Sequence, residues 1–392
     1  MRGALLVRLE PFRRLVPPIA AMSLFGVSMA MTYPLFALLL EREGISGTLI
    51  GVNAMAAAVA MVIGAPLLPM VMRRVGIGPL MTWACLVMAG MMAAIPILPD
   101  FWYWTVLRLI YGFAGTALFF AAEYWIVATA PNASRGRVIA IYAMIMSVSY
   151  MVGPLIVAAT GVEGILPFAV ATGVILVGLA PIRWGLSAAP APGTDTPTKP
   201  GEALKFFRTD PTVLFAVLTF GMIEYGGLAL LPVWAVRIGA GEDLGLLLLA
   251  AFPLGSVLLL WPMGWLADRS DRRVLLMLAG ALSALMPLGM ILWAPMALPL
   301  LAISLVWGGV AASLYAVSLT ELGSRYAGNK LSDGNAAVVL AYGLGALVAP
   351  GLFGVAMDLV PPDGLLWAVA LAAAGYAGIV AWRLRRRQQP GP

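Results

Sequence analysis

Apolar runs of about 20 residues recur along the whole of this chain, and they constrain its fold more than any other feature. A helix of that length crosses a hydrocarbon layer of about 30 Å. Hydrophobic residues make up 62% of the chain, more than a water-soluble core can bury. No alternating barrel pattern is present, so the sequence predicts an all-α integral membrane protein. Its twelve transmembrane helices are placed at 18–40, 48–70, 78–99, 101–126, 137–160, 164–184, 212–235, 244–266, 273–294, 296–321, 334–358 and 364–383.

The charged residues are distributed unevenly between the connections. If the N-terminus is cytoplasmic, nearly all of the 24 Lys and Arg residues face the cytoplasm, and only Arg42 and Arg237 face outward. This positive-inside pattern predicts an inner-membrane protein with both termini in the cytoplasm. It also explains the net charge of +6 as membrane topology, so we expect no nucleic-acid partner.

One long polar connection, 185–211, divides the predicted helices into six and six. It is rich in Pro, Thr and Gly, which is typical of a flexible linker. The sequence therefore predicts a cytoplasmic lead-in (1–17), a six-helix bundle (18–184), the linker, a second bundle (212–383) and a basic tail (384–392). For the lead-in, an amphipathic helix lying on the membrane is the alternative.

The two predicted bundles repeat one another. Three pairs of segments match at one offset of about 195 residues, each in the same helix or loop of its half. They are Arg108–Gly112 with Ser304–Gly308, Ser149–Ala158 with Gly345–Gly354, and Arg73–Gly78 with Asp268–Arg273. The sequence therefore predicts two pseudo-symmetric bundles in parallel repeat.

Three motifs resemble the major facilitator superfamily. GWLADRSDRR (264–273) resembles its loop signature, with Asp271 in place of a glycine, and Arg108 to Gly112 fits its R-x-x-x-G signature. Gly153–Pro154 keeps part of a helix-bend motif whose counterpart in the second half is Pro350. The strings EYWIVATAPNASRGRVIAIYAM and LPVWAVRIG resemble the YcaD-like branch. The resemblance implies two six-helix bundles that transport a solute by alternating access.

Two ionisable residues at bilayer depth are candidates for function, because such groups are costly there unless paired or solvated. Glu224 lies about 18 Å along its helix and Arg108 about 10 Å along its own. The resemblance implies that both helices line a central cavity, where the two side chains face each other. We expect them to bind a proton or the substrate. The alternative is a permanent ion pair that holds two helices together.

Five aromatic residues on the presumed cavity helices are candidates for contact with a moderately apolar solute. They are Tyr33, Tyr111, Tyr225, Trp307 and Tyr315. Packing or a place in the interfacial aromatic belt explains them equally well. Glu123 has two interpretations: it pairs with Arg135 or Arg137 in a cytoplasmic gate, or it is an interfacial residue at the end of its helix. Asp358 is interpreted as a solvated residue at the membrane boundary.

The loop motif and its degenerate copy predict two cytoplasmic latches. In the family, the motif's Asp caps a helix of the opposite bundle, so Asp268 is expected to meet Arg135 or Arg137. In the copy, Arg73 occupies the position of the motif's Asp, and the position equivalent to Arg137, 196 residues later, is occupied by Asp333. Arg73 or Arg74 is therefore expected to meet Asp333. Arg269, Arg272 and Arg273 complete the motif as cytoplasmic anchors. The alternative is that Arg73 and Arg74 are topology anchors only.

The functional hypothesis is a secondary-active transporter of a small organic solute, coupled to protons and favouring export over uptake. The chain has no histidine, one cysteine and no nucleotide-binding, hydrolase or metal-binding motif, so we expect no enzyme activity, cofactor or metal. We expect a monomer in the lipid bilayer. The alternatives are a non-transporting sensor or assembly factor on the same fold, and a membrane-embedded transferase, which would need a polar catalytic cluster.

Overall fold

A computed structural model describes residues 2–131, 135–191, 200–326 and 328–388. The regular elements of these ranges are helices, with short 3-10 turns at Ile95–Ile97 and Leu186–Ala188. The α-helices are α1 (Arg2–Arg42), α2 (Gly47–Val75), α3 (Ile77–Ala94), α4 (Phe101–Thr129), α5 (Arg135–Thr160), α6 (Leu166–Val177), α7 (Leu179–Gly185), α8 (Pro200–Thr209), α9 (Pro211–Arg237), α10 (Glu242–Arg269), α11 (Arg272–Trp293), α12 (Ala297–Arg325), α13 (Gly328–Leu359) and α14 (Gly364–Gln388).

Within the described ranges, eleven helices are long and apolar enough to cross a membrane. The count is twelve if the two arms of α9, Pro211–Gly227 and Ala229–Arg237, form one bent span. Large apolar side chains also lie on the outside of these helices: Trp261 is 78% exposed and Leu298 79%. Such exposure is expected where lipid is the solvent. The prediction of an all-α membrane protein with twelve helices is confirmed.

The chain packs as two compact units. The first unit comprises 1–35 and 56–195, and the second comprises 36–55 and 196–392. The end of α1 and the start of α2 therefore group with the second unit, whereas the predicted domains place them in the first bundle. The predicted lead-in continues into the first span without a break, because α1 begins at Arg2.

Part of the predicted linker is helical rather than irregular. Residues 200–209 form α8, and its Phe206 packs edge-on against Tyr326, with ring centroids 5.4 Å apart. Phe206 and Phe207 both cover a buried cluster that includes Leu214 and Leu322. The two phenylalanines anchor α8 because they bury apolar surface that a free linker would expose.

Close helix crossings recur at equivalent positions of the repeat. In the first unit a Cβ added to Gly112 of α4 would lie 2.8 Å from the Cα of Ala57 on α2. In the second unit a Cβ added to Gly308 of α12 would overlap the carbonyl of Phe252 on α10. These two positions follow Gly112 and Ala57 by 196 and 195 residues. A glycine at each crossing lets the helix backbones approach closely.

A second equivalent crossing exchanges its small residues. Gly153 of α5 faces Ala30 of α1, where an added Cβ would lie 2.5 Å from the alanine Cβ. The residues 196 positions later are Ala349 of α13 and Gly226 of α9, which also face each other. In the first pair the glycine is on the later helix, and in the second pair it is on the earlier helix, but both pairs keep a glycine against an alanine. The repeat is therefore visible in the packing of each unit as well as in the sequence.

Candidate functional site

Glu224 lies at the centre of α9, thirteen residues from either end of the helix. At about 1.5 Å per residue, it is roughly 20 Å from each terminus. The hydroxyl of Tyr342 on α13 donates a hydrogen bond of 2.5 Å to Glu224 Oε2. Among the described side chains, Glu224 forms no ion pair. A phenol, and not a protein cation, is therefore its polar partner.

The ring of Tyr342 contacts three other aromatic rings, and we call the four residues the aromatic cluster: Phe220, Tyr225, Tyr315 and Tyr342. Tyr342 is at the centre, with its ring centroid 5.9 Å from Phe220, 5.8 Å from Tyr225 and 6.1 Å from Tyr315. These distances suit edge-to-face and tilted ring pairs. Glu224 and the three tyrosines are half-buried, and Phe220 is buried. Three helices, α9, α12 and α13, thus build one site around one carboxylate.

Arg108 lies in the first unit, in a different setting. It is 2% exposed, and its guanidinium carbon is 5.0 Å from the centre of the Tyr33 ring. Tyr111 is also buried, and its hydroxyl is 2.8 Å from Ser28 Oγ. Arg108, Tyr33 and Tyr111 therefore form a polar group inside the first unit. That Arg108 faces Glu224 across a cavity stays a prediction.

The other predicted membrane residues are not members of the aromatic cluster. Trp307 is 1% exposed and packs edge-on against Phe252, with centroids 5.5 Å apart. Glu123 of α4 is exposed. Pro154 and Pro350 lie inside α5 and α13, one residue after the close crossing described above. In the part of the chain that the structure describes, no three His, Cys, Asp or Glu side chains are grouped to hold a metal ion.

The arginines of the loop motif pair within the second unit. Glu321, near the end of α12, lies 3.7 Å from Arg272, 3.5 Å from Arg273, and in close contact with Arg325. Arg325 also contacts Asp210 at 2.5 Å, at the start of α9. We call these five residues the Glu321 cluster.

Asp210 is the most buried member of the Glu321 cluster, at 2% side-chain exposure. It also accepts a hydrogen bond of 2.5 Å from the hydroxyl of Tyr326. Since this bond stabilises the neutral phenol, the carboxylate raises the pKa of Tyr326 above its ordinary value. Asp210 therefore joins the beginning of α9 to the end of α12.

The Asp of the loop motif has no such partner. Asp268 is exposed and forms no ion pair with any side chain that the structure describes. Arg269 stacks on Trp265, with its guanidinium carbon 4.3 Å from the ring centre. Asp271 caps the start of α11 by accepting a hydrogen bond of 2.8 Å from the amide of Arg273.

Five further residues belong to the two predicted latches. Arg73 and Arg74 at the end of α2 are exposed, and Asp333 is half-buried. The side chains of Arg135 and Arg137 lie outside the described part of the structure. Both latches therefore stay predictions.

A second group of charges lies at the other end of α9, also within the second unit. Arg237 donates from Nε and Nη2 to both carboxylate oxygens of Glu41, at 2.8 and 2.9 Å. Arg42 pairs in the same bidentate way with Glu242, at 2.6 and 2.8 Å. Arg237 Nη1 is also 3.4 Å from Asp358 Oδ1. We call these five residues the clasp, because they join segment 36–55 to α9, α10 and α13.

Asp358 also caps α2. Its carboxylate accepts hydrogen bonds from the amide of Gly47 at 2.8 Å and from the amide and hydroxyl of Thr48, both at 2.7 Å. A carboxylate there satisfies free amide groups and complements the helix dipole. Asp358 is therefore a helix cap and not simply a solvated boundary residue.

Sequence reasoning missed Phe220, Tyr342 and the pairing within the clasp. Tyr342 is on α13, outside the helices that the resemblance assigns to the cavity. One signal for the clasp was present, because Glu41 and Arg237 are 196 residues apart, which is the offset of the repeat. Equivalent residues that lie next to a pseudo-two-fold axis meet each other, so opposite charges at such positions predict an ion pair.

Comparison with known proteins agrees with this architecture. The family model of the Major Facilitator Superfamily matches residues 19–251 and 239–392. The uncharacterized MFS-type transporter YfkF of Bacillus subtilis (strain 168) is 26% identical over 66% of this chain and 68% of its own length. The uncharacterized MFS-type transporter YcaD of Escherichia coli (strain K12 / DH10B) is 23% identical over 87% of this chain and 88% of its own.

Solved structures show the same fold. The nucleoside transporter NupG superposes with a TM-score of 0.76 at 12% identity, over 97% of this chain and 99% of its own. A bacterial homologue of the human lysosomal transporter Spinster has a TM-score of 0.72 at 15% identity, over 97% of this chain and 100% of its own. At such low identity these likenesses concern the fold alone.

Proposed function

Because the chain belongs to the major facilitator superfamily, we propose that it is a secondary-active transporter that moves a small organic solute in exchange for protons at Glu224. Each half of the repeat then moves as a body, and access to the central site alternates between the two sides of the membrane. The charge distribution supports an inner-membrane location with both termini in the cytoplasm. We favour export over uptake.

The observation that carries the proposal is the hydrogen bond between Tyr342 and Glu224 at the middle of α9. A carboxylate in the middle of an apolar helix is costly when charged and is neutralised by a proton or by a bound cation. The Glu224 carboxylate can therefore bind a proton in one conformation of the transporter and a cation in another. The hydroxyl of Tyr342 holds the carboxylate in place for this exchange.

The clasp supports a conformational cycle. Its ion pairs connect α1 and α2 to α9, α10 and α13, which sequence assigns to opposite halves of the repeat. If the two halves separate at this end, the bonds of Arg237 to Glu41 and of Asp358 to Gly47 must break. We propose that the clasp holds one side of the transporter closed and opens during each cycle.

Transport by the reconstituted full-length protein tests the proposal. Liposomes would contain a pH-sensitive dye, and solutes would be added outside as a panel of organic cations, anions and neutral compounds. We expect at least one solute to drive a pH change, and Glu224→Gln to reduce it at least about tenfold because the exchange site is lost. Glu43→Gln removes an exposed carboxylate at the end of α1 and serves as the matched control.

Two results would contradict the proposal. If Glu224→Gln leaves the solute-driven pH change intact, proton exchange does not occur at Glu224. If a correctly folded wild-type protein moves none of the solutes, the alternative of a membrane sensor or assembly factor gains support.

A further inference from the structure

We propose that the transported solute is an organic cation, bound between the Glu224 carboxylate and the aromatic cluster. This inference rests on the proposed function, since it names the class of solute that the Glu224 site takes. Its chemistry is that of a quaternary or protonated amine, or a phosphonium, attached to an apolar or aromatic body.

The charge of the site is the first argument. The polar contact that the structure gives Glu224 is the hydroxyl of Tyr342, and no described Arg or Lys side chain pairs with the carboxylate. Arg108 is 2% exposed, and its guanidinium packs over the Tyr33 ring, so its charge is not presented to a solute. An ionised Glu224 therefore attracts a cation and repels an anion.

The aromatic rings are the second argument. Phe220, Tyr225 and Tyr315 each contact the Tyr342 ring, at centroid distances between 5.8 and 6.1 Å. Ring faces carry partial negative charge and attract a cation that lies over them. Clusters of aromatic rings recognise quaternary ammonium groups in this way. A site with one carboxylate and four rings is thus complementary to an apolar cation.

Accessibility is the third argument. Glu224, Tyr225, Tyr315 and Tyr342 are each half-buried, whereas Trp307 on α12 is buried in a helix interface. The carboxylate and three of the four rings are therefore not enclosed by protein in this structure, and the buried Phe220 closes the inner side of the cluster.

Two tetraphenyl ions of nearly equal size and opposite charge test the inference. Binding of tetraphenylphosphonium and of tetraphenylborate to the purified full-length protein would be measured by equilibrium dialysis in detergent at neutral pH. We expect the phosphonium to bind and the borate to bind at least about tenfold more weakly. Glu224→Gln should weaken phosphonium binding about 10- to 100-fold, because a charge-assisted contact is lost.

Ring variants separate the cation site from the proton site. Tyr342→Leu and Tyr225→Leu should each weaken phosphonium binding about three- to tenfold, whereas Tyr342→Phe keeps the ring but removes the hydroxyl that holds Glu224, so its loss of affinity should be smaller than that of Tyr342→Leu. Trp261→Leu removes an exposed aromatic ring of α10 and should leave binding unchanged. The melting temperature of each variant confirms that it is folded.

The outcomes are decisive for the inference. The organic-cation assignment would be overturned by any of three results: equal binding of the two ions, no binding of the phosphonium, or phosphonium binding that is unchanged by Glu224→Gln. If an anionic or neutral solute drives a Glu224-dependent pH change in liposomes while cations do not, this inference fails and the proposed transporter function stands. If no solute of any charge drives a pH change, the proposed function fails first.

Discussion

The two charge clusters at the ends of α9 differ in what they join. The Glu321 cluster, at the start of the helix, has three arginines and two acids, and all five residues lie after residue 209. The clasp, at the end of the helix, has three acids and two arginines, and it reaches back to Glu41 and Arg42. One cluster is confined to one half of the repeat, and the other joins the two halves.

This difference assigns the two clusters different roles. Bonds within one half can persist through a transport cycle, so the Glu321 cluster contributes mainly to stability. In the proposed transport cycle, bonds that join the halves must break when the halves separate, so the clasp there contributes to stability and also sets which state is populated. Glu224 lies midway between the two clusters along α9.

The largest expected loss of stability follows from changing Asp210, the most buried acid of the Glu321 cluster. Asp210→Asn breaks its ion pair with Arg325, so we expect unfolding to become easier by about 2–3 kcal/mol. Denaturant unfolding followed by tryptophan fluorescence measures this loss. Transport per folded molecule should be kept, and a smaller loss than that of Glu41→Gln would contradict the distinction between the clusters.

A double-mutant cycle on Glu41 and Arg237 tests the clasp. Glu41→Gln and Arg237→Gln should each destabilise the protein, and the coupling between them should be about 1–2 kcal/mol, because the pair is bidentate and only partly exposed. The same cycle on the more exposed Arg42–Glu242 pair should give a smaller coupling. If the first coupling is absent, the clasp does not stabilise this state.

Loss of the cap on α2 should have a smaller and local effect. Asp358→Ala removes the acceptor of the Gly47 and Thr48 amides, which we expect to cost about 1 kcal/mol and to speed hydrogen exchange at residues 47–50 about fivefold. Exchange measured by mass spectrometry reports this directly. Asp271→Ala, which uncaps α11, is the matched control and should speed exchange only there.

The sequence could predict the spans, the repeat and the position of Glu224 in the middle of its helix, because each depends on a local pattern of apolar or charged residues. It could not predict which rings surround Glu224, since that depends on how each helix is rotated. Trp307 and Tyr315 are both on α12, about 80° apart around the helix, and one packs on Phe252 while the other joins the aromatic cluster. The amides of α2 that Asp358 caps lie about 310 residues away, beyond any local pattern.

The smallest effect on stability is expected at Asp268, the acid of the loop motif. Its side chain is exposed and has no ion-pair partner among the described residues, so Asp268→Asn should change the free energy of unfolding by less than about 0.5 kcal/mol. If Asp268 forms the predicted latch with Arg135 or Arg137 in another state of the cycle, the same change should slow transport several-fold. Transport at unchanged stability, measured in liposomes, therefore tests whether Asp268 forms a latch during the cycle. Full transport by Asp268→Asn would contradict the latch at Asp268 and leave the clasp and the predicted pairing of Arg73 or Arg74 with Asp333 as the proposed connections between the two halves.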